Sequence, residues 1–184
     1  MDYSTKKIII IDNSEISYSG DDINGRILRG TEASLILLSE QFFKMGIHVD
    51  YSNCINVEKK VNGVNYFNKK KINKNTIYDL AIVISDANQF SLVSSVKKAI
   101  FSNSNQPIEK FIRKKQLIPF LKFKPVVITL CDYQFNKRSF FTSFYGKKTI
   151  PITVDPKFLD VDINVNYLPE KKVVYNIRSN RNLD

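Results

Sequence analysis

Residues 6–12 read KKIIIID, four consecutive isoleucines set between lysines and an aspartate. A run of β-branched side chains with no polar alternation gives a strand two apolar faces, and both must be covered. Such a strand belongs in the interior of a parallel sheet, and the chain after it supplies the expected partners. Residues 13–30 carry Gly20, Gly25 and Gly30 among serines, asparagines and aspartates and read as a long loop. An amphipathic helix is then predicted from Thr31 to Met45, with Leu35, Leu38, Phe42 and Met45 on one face and Gly46 just past its end.

Strand and helix patterns alternate from there on. IHVDYSN (47–53) reads as a strand, and VNGVNYFNKKKIN (61–73) as a turn and strand followed by a basic loop at Lys69–Lys71. DLAIVIS (79–85) is a further buried strand, residues 88–98 a helix, and AIFSNS (99–104) a strand ending in small polar residues. Pro107 opens a helix in PIEKFIRKKQLI, because proline is favoured in a first helical turn. KPVVITLCDY (124–133) reads as a strand, NKRSFFTSFYG (136–146) as a helix closed by Gly146, and KKTIPITVD (147–155) as the last strand. Alternation of this kind implies an α/β fold: a three-layer, Rossmann-like domain with a mostly parallel sheet over residues 1–155. Residues 156–171, with Pro156 and Pro169, read as a linker. Residues 172–184 begin a new strand that the remaining chain is too short to cover.

Composition narrows the class. A chain of 184 residues can bury one sizeable core. No stretch approaches the roughly 18 apolar residues of a spanning helix, and MDYSTKKIIII lacks a secretory pattern, so a cytoplasmic protein is expected. Cys54 and Cys131 stand far apart and His48 is the single histidine, which leaves too few ligands for a structural zinc site. The cysteines are expected as buried reduced thiols and His48 as a structural member of its strand. The balance of 28 basic to 18 acidic residues gives a net charge of +10, which favours polyanions or anionic membrane surfaces. An AT-rich coding bias toward Lys, Asn and Ile explains the same charge, so charge alone decides little.

Four stretches carry candidate chemistry, each with a plain alternative. In the loop from Asn13 to Glu32, Gly30 would let backbone approach a phosphate and Thr31 could cap the helix, whose first N–H groups attract anions; a bare capping loop explains the same residues. In FSNSNQPIEKF, Asn103, Asn105 and Gln106 have amides that both donate to and accept from sugar hydroxyls, yet none titrates as a general base. An ordinary polar turn is the alternative there. Residues 107–124 interleave lysines and Arg113 with Phe111, Ile112, Ile118, Phe120 and Leu121, as a membrane-surface segment does, or as a core-packed helix with a solvated basic face does. No nucleic-acid motif accompanies the charge, and nucleic acid is not expected as a partner. In YNIRSNRNLD, Arg178 and Arg181 follow a strand and could grip a diphosphate, or belong to a frayed tail.

Taken in order, RGTEASLILLSEQFFKMGIHVDYSN, NGVNYF, DLAIVIS, SNSNQPIEKFIRKKQLIPF, IPITVDPKF and KKVVYNIRSNRNLD resemble the family 4-type (group 1) glycosyltransferases of the GT-B fold. The resemblance implies the N-terminal, acceptor-side half of a two-domain enzyme that moves a sugar from a nucleotide-sugar to an acceptor with retention. It implies donor-phosphate contacts from Gly30, Thr31, Glu32, Arg178 and Arg181, acceptor contacts from Asn105 and Gln106, and no metal or resident cofactor. It places Asn103 where family members commonly carry a catalytic histidine; an asparagine there could orient a hydroxyl but not shuttle a proton. It further implies that the donor-binding C-terminal half is missing after Asp184, supplied by a separate domain or chain, and that this chain alone has little or no activity. The rival expectation is a non-catalytic, glycosyltransferase-like binding module, peripheral to the inner face of a membrane through residues 107–124 or bound to a partner chain.

Overall fold

The computed structural model describes residues 4–25, 28–102, 108–136 and 139–151. All of them belong to the first of two compact units, Met1–Val154 and Asp155–Asp184. The strands are β1 (Lys7–Ile11), β2 (His48–Asn53), β3 (Lys59–Val61), β4 (Val64–Asn68), β5 (Ile77–Ile84), β6 (Ser94–Ser102), β7 (Val126–Thr129) and β8 (Lys147–Thr149). The α-helices are α1 (Gly30–Lys44), α2 (Ile108–Arg113), α3 (Leu117–Phe123) and α4 (Asp132–Asn136). The strands form one eight-stranded sheet in the order β3-β4-β2-β1-β5-β6-β7-β8, and every pairing is parallel except β3 with β4.

The isoleucine run is where the sequence demands it to be. β1 pairs with β2 on one side (Ile9↔Asp50) and with β5 on the other (Ile9↔Ala81). Its side chains then divide by the two-residue period of a strand. Ile8 and Ile10 join one apolar cluster with Val49, Tyr51, Leu35 and Ile36. Ile9 and Ile11 join a second with Val83, Phe90, Phe111, Phe120 and Phe141.

α1 starts one residue before the expected Thr31. Glu32 accepts a hydrogen bond from the Arg29 backbone N–H at 2.9 Å and so satisfies a donor at the helix entry. The helix ends as expected at Gly46, whose φ of +85° few other residues tolerate. There the Ile47 N–H reaches the Phe42 carbonyl and the Gly46 N–H the Phe43 carbonyl. Leu35 is buried and Leu38 and Phe42 are partly buried, but Met45 is exposed, because it lies past the last helical turn and leaves the face. The β3–β4 hairpin turns on Asn62 and Gly63, both at positive φ. A Cβ on Gly63 would also stand 2.1 Å from the exposed Phe43 ring, which would have to swing aside.

The helix expected at 88–98 is not present. A 3-10 turn spans Ala87–Leu92, begun by the Asp86 carboxylate accepting the Asn88 N–H at 3.0 Å, and the chain is already in β6 at Ser94. β5 runs back to Ile77 and offers its backbone to Ser94 and Ser95, and that ladder overrides a weak local helical pattern. The single helix expected after Pro107 is two short ones, separated where Lys115 adopts a φ of +54°. Pro119 falls in the first turn of α3, where its missing N–H would have had no partner. In place of a helix over 136–146 the chain forms α4 and a 3-10 turn at Phe140–Ser143, closed by Gly146. The cysteines are free, but Cys131 is exposed and Cys54 half-buried, since each sits beyond the end of its strand and off the core. No helix among the described residues is long and apolar enough to cross a membrane.

Candidate functional site

β1 and β5 lie side by side, yet the strands that follow them continue in opposite directions across the sheet, β2 and β4 one way and β6 to β8 the other. In a parallel sheet this reversal leaves a crevice at the carboxyl ends of the two strands, the usual place for a ligand. A crevice of about 550 Å³ occupies that position. Asp12, Asn13 and Ser14 line it from the end of β1, and Arg29 from the start of α1. Ser85, Asp86 and Asn88 line it from the end of β5, and Lys114 and Gln116 from the α2–α3 connection.

Its floor is a buried polar network. Asp12, only 5% exposed, accepts hydrogen bonds from the Ser14 N–H and Oγ, both at 2.9 Å, and from Tyr18 Oη at 2.5 Å. Tyr18 Oη also lies 2.6 Å from Tyr51 Oη, and the Tyr18 carbonyl accepts from Asn53 Nδ2 at 2.7 Å. Burial pushes both phenols far above their ordinary range, and the Asp12 carboxylate adds to the effect. Both hydroxyls therefore stay protonated and donate, which fixes the Asp12 carboxylate in place.

The opposite wall turns on Ser85, a non-glycine residue in the left-handed region at φ +56°. Such a conformation costs energy and persists where the surroundings enforce it; here the Ser85 N–H is tied to the Phe101 carbonyl at 2.9 Å. The next residue, Asp86, accepts from Asn88 N, Asn88 Nδ2, Gln89 Nε2 and Asn13 Nδ2 at 2.9–3.2 Å. Asn13 closes the link between the walls, and its Oδ1 accepts from Lys69 Nζ at 2.7 Å. The crevice thus offers two carboxylates, three amides, two hydroxyls and two cations. Amides donate and accept at once, so this set suits a ligand rich in hydroxyl groups.

Only part of the expected site is found at this crevice. Gly30, Thr31 and Glu32 form the first turn of α1 beside it, but Arg29 is the residue of that stretch which lines it. Glu32 is buried and committed to Arg29, whose Nε lies 3.5 Å from its carboxylate. A Cβ on Gly30 would meet no other part of the described protein within 4 Å. Asn103, Asn105, Gln106, Arg178 and Arg181 lie outside the described residues. Asp12, Asp86, Asn88 and Gln116 are not singled out by the sequence, and Lys114 stands out only as a cation of the basic 107–124 stretch, although the sequence holds a signal: the apolar runs IIII and AIVI are each followed within two residues by an aspartate.

His48 belongs to a separate cluster. Its Nε2 lies 3.1 Å from Asp50 Oδ1, and Asp50 also accepts from Asn65 Nδ2 at 2.9 Å and Tyr78 Oη at 2.7 Å. The carboxylate is satisfied on both oxygens, in keeping with a structural role for this histidine. Among the described residues no group of three or more His, Cys, Asp or Glu could hold a metal ion.

Comparison with family models, with curated proteins and with solved structures finds no match to the chain in any of the three.

Proposed function

We propose that the chain is the acceptor-side half of a glycosyltransferase: a three-layer, Rossmann-like domain of the GT-B kind, working in the cytoplasm with a donor-binding half supplied by another domain or chain. The observation that carries this reading is the amide-rich crevice at the β1/β5 switch point. In it, Asn13, Asn88 and Gln116 would hold acceptor hydroxyls, and Asp86, the less buried carboxylate, would receive the hydrogen bond of the attacking one. Arg29 and the N-terminus of α1 would face the donor phosphates together with Arg178 and Arg181, and these positive charges would stabilise the leaving diphosphate without a metal. Asn103 would orient a hydroxyl.

Titration of the full chain with free hexoses, disaccharides and nucleotide-sugars, followed by NMR, tests the proposal. Sugars are expected to move the side-chain amide signals of Asn13, Asn88 and Gln116, and Asp86→Ala to abolish the movement. A broad panel that leaves those signals unmoved would sink it.

One observation favours the second reading, a binding module without catalysis. Asp12 and Asp86 already accept three and four hydrogen bonds from the protein, so neither is a free base. Sugar binding that never leads to transfer, even with a complementing donor domain present, would select that reading.

A further inference from the structure

We propose that the surface formed by α2, α3 and the turn at Phe140–Ser143 seats on an anionic lipid bilayer. The inference does not depend on the sugar-transfer reading, because it rests on a different part of the molecule and is measured by association alone.

Large apolar side chains stand in water on this surface. Ile118 is 78% exposed and Phe140 77%, with Ile112 and Phe144 also more than half exposed and Ile108 and Leu121 at the margin. The short elements that carry them adjoin one another. Phe140 packs edge-on against Phe144 at 5.6 Å, and Phe144 against Tyr145. The Tyr145 ring lies 5.8 Å from Phe120, and its hydroxyl reaches the Leu121 carbonyl of α3 at 3.4 Å. Behind them Phe111, Phe120 and Phe141 meet nearly at right angles, with centroids 5.1–5.7 Å apart, one ring from each short element. With these three turned inward, the residues on the other side of each element have nowhere to go but out. At 100° per residue Ile118 lies almost opposite Phe120 on α3.

The charge on this surface is predominantly positive. Arg113, Lys114, Lys115, Lys122 and Lys124 are exposed and form no ion pair with any described residue. Between Asp86 and Asp132 the sequence holds a single acidic residue, Glu109. Lysine separates a membrane from a protein partner as the occupant. Protein interfaces are depleted in lysine at their centres, whereas at a bilayer the lysine stem lies along hydrocarbon and the ammonium reaches lipid phosphate. Isolated apolar side chains amid such cations suit shallow insertion at the headgroup boundary. Lys114 also lines the crevice, so seating the patch brings the crevice mouth to the level of the headgroups.

Co-sedimentation of the full chain with phosphatidylcholine vesicles, with and without about 30% phosphatidylglycerol, tests the proposal. Binding is expected only with the anionic lipid and is expected to fall as salt is raised. Lys115→Glu with Lys122→Glu should weaken partitioning at least about ten-fold, since each cation near an anionic surface contributes roughly a five-fold factor. The chain contains no tryptophan, so Phe140→Trp provides a single reporter. Its emission should shift to the blue on anionic vesicles, and Phe140→Ser with Phe144→Ser should lower binding at every salt concentration. No sedimentation with anionic vesicles at low salt would overturn the proposal. So would binding that leaves the emission of the Phe140→Trp variant unshifted and that the double serine variant retains, as would a protein ligand captured by this patch in the absence of vesicle binding.

Discussion

The two apolar clusters that sandwich β1 are built from different aromatics. The one containing α1 buries Tyr18, Tyr51 and Tyr66 beside Phe101, and the other buries Phe90, Phe111, Phe120 and Phe141 beside Tyr78. The tyrosine side ends in a directed network that reaches Asp12 and shapes the crevice floor. The phenylalanine side works at its centre through ring volume and the edge-to-face packing of Phe111, Phe120 and Phe141. Its task differs too: α2, α3 and the Phe140–Ser143 turn have six, seven and four residues, too short to persist alone, and each is held by one inserted ring. One side therefore positions polar atoms, while the other fastens elements to the sheet.

The contrast is most easily broken at Phe120. Phe120→Ala removes the ring that touches Phe111, Phe141 and Tyr145 and should cost about 3–5 kcal/mol in urea unfolding. A smaller loss than that of the tyrosine variant below would reverse the assignment of roles. Tyr51→Phe keeps the volume and removes one hydroxyl from the network, so the expected cost is about 1–3 kcal/mol, accompanied by shifts in the NMR signals of the crevice residues that Phe120→Ala does not reproduce. The finest distinction is in pH dependence. Burial raises the Tyr18 and Tyr51 phenols in the folded state above the unfolded value of about 10. Their contribution is therefore fully present below pH ~10 and is lost as pH rises above it, because only the unfolded chain releases the protons. Tyr51→Phe should reduce that alkaline slope by about 1.4 kcal/mol per pH unit, and Phe120→Ala should leave it unchanged.

Much of the phenylalanine side is hidden in the sequence for the same reason that it depends on packing. Short helices such as α2 and α3 carry too few turns for periodicity to delimit them, and β6 reads as helix over 94–98 because its ladder partner, β5, is specified elsewhere in the chain. Elements whose character is local are legible: the KKIIIID strand, the α1 helix with its Gly46 stop, and the Asn62–Gly63 turn. The crevice lies between these extremes. Its first loop, Asn13 to Glu32, stands out in the sequence, but Asp86 and Lys114 become neighbours of Asn13 only once β5 is known to pair with β1. A lone aspartate after an apolar run reads as a strand end until strand order puts two of them in one place.

The position of β1 also bears on how the chain is born. Its two neighbours in the sheet begin at His48 and Ile77. At a synthesis rate of roughly 5–20 residues per second, the partner on the β5 side follows Ile11 by about 3 to 13 seconds. Throughout that interval Ile9 and Ile11 have no second surface to rest on, because the strand that shelters them has yet to be translated. β1 is thus made well before the strand that completes its burial, and meanwhile the nascent chain carries an adhesive stripe that invites a holding chaperone or early pairing with a neighbouring nascent chain.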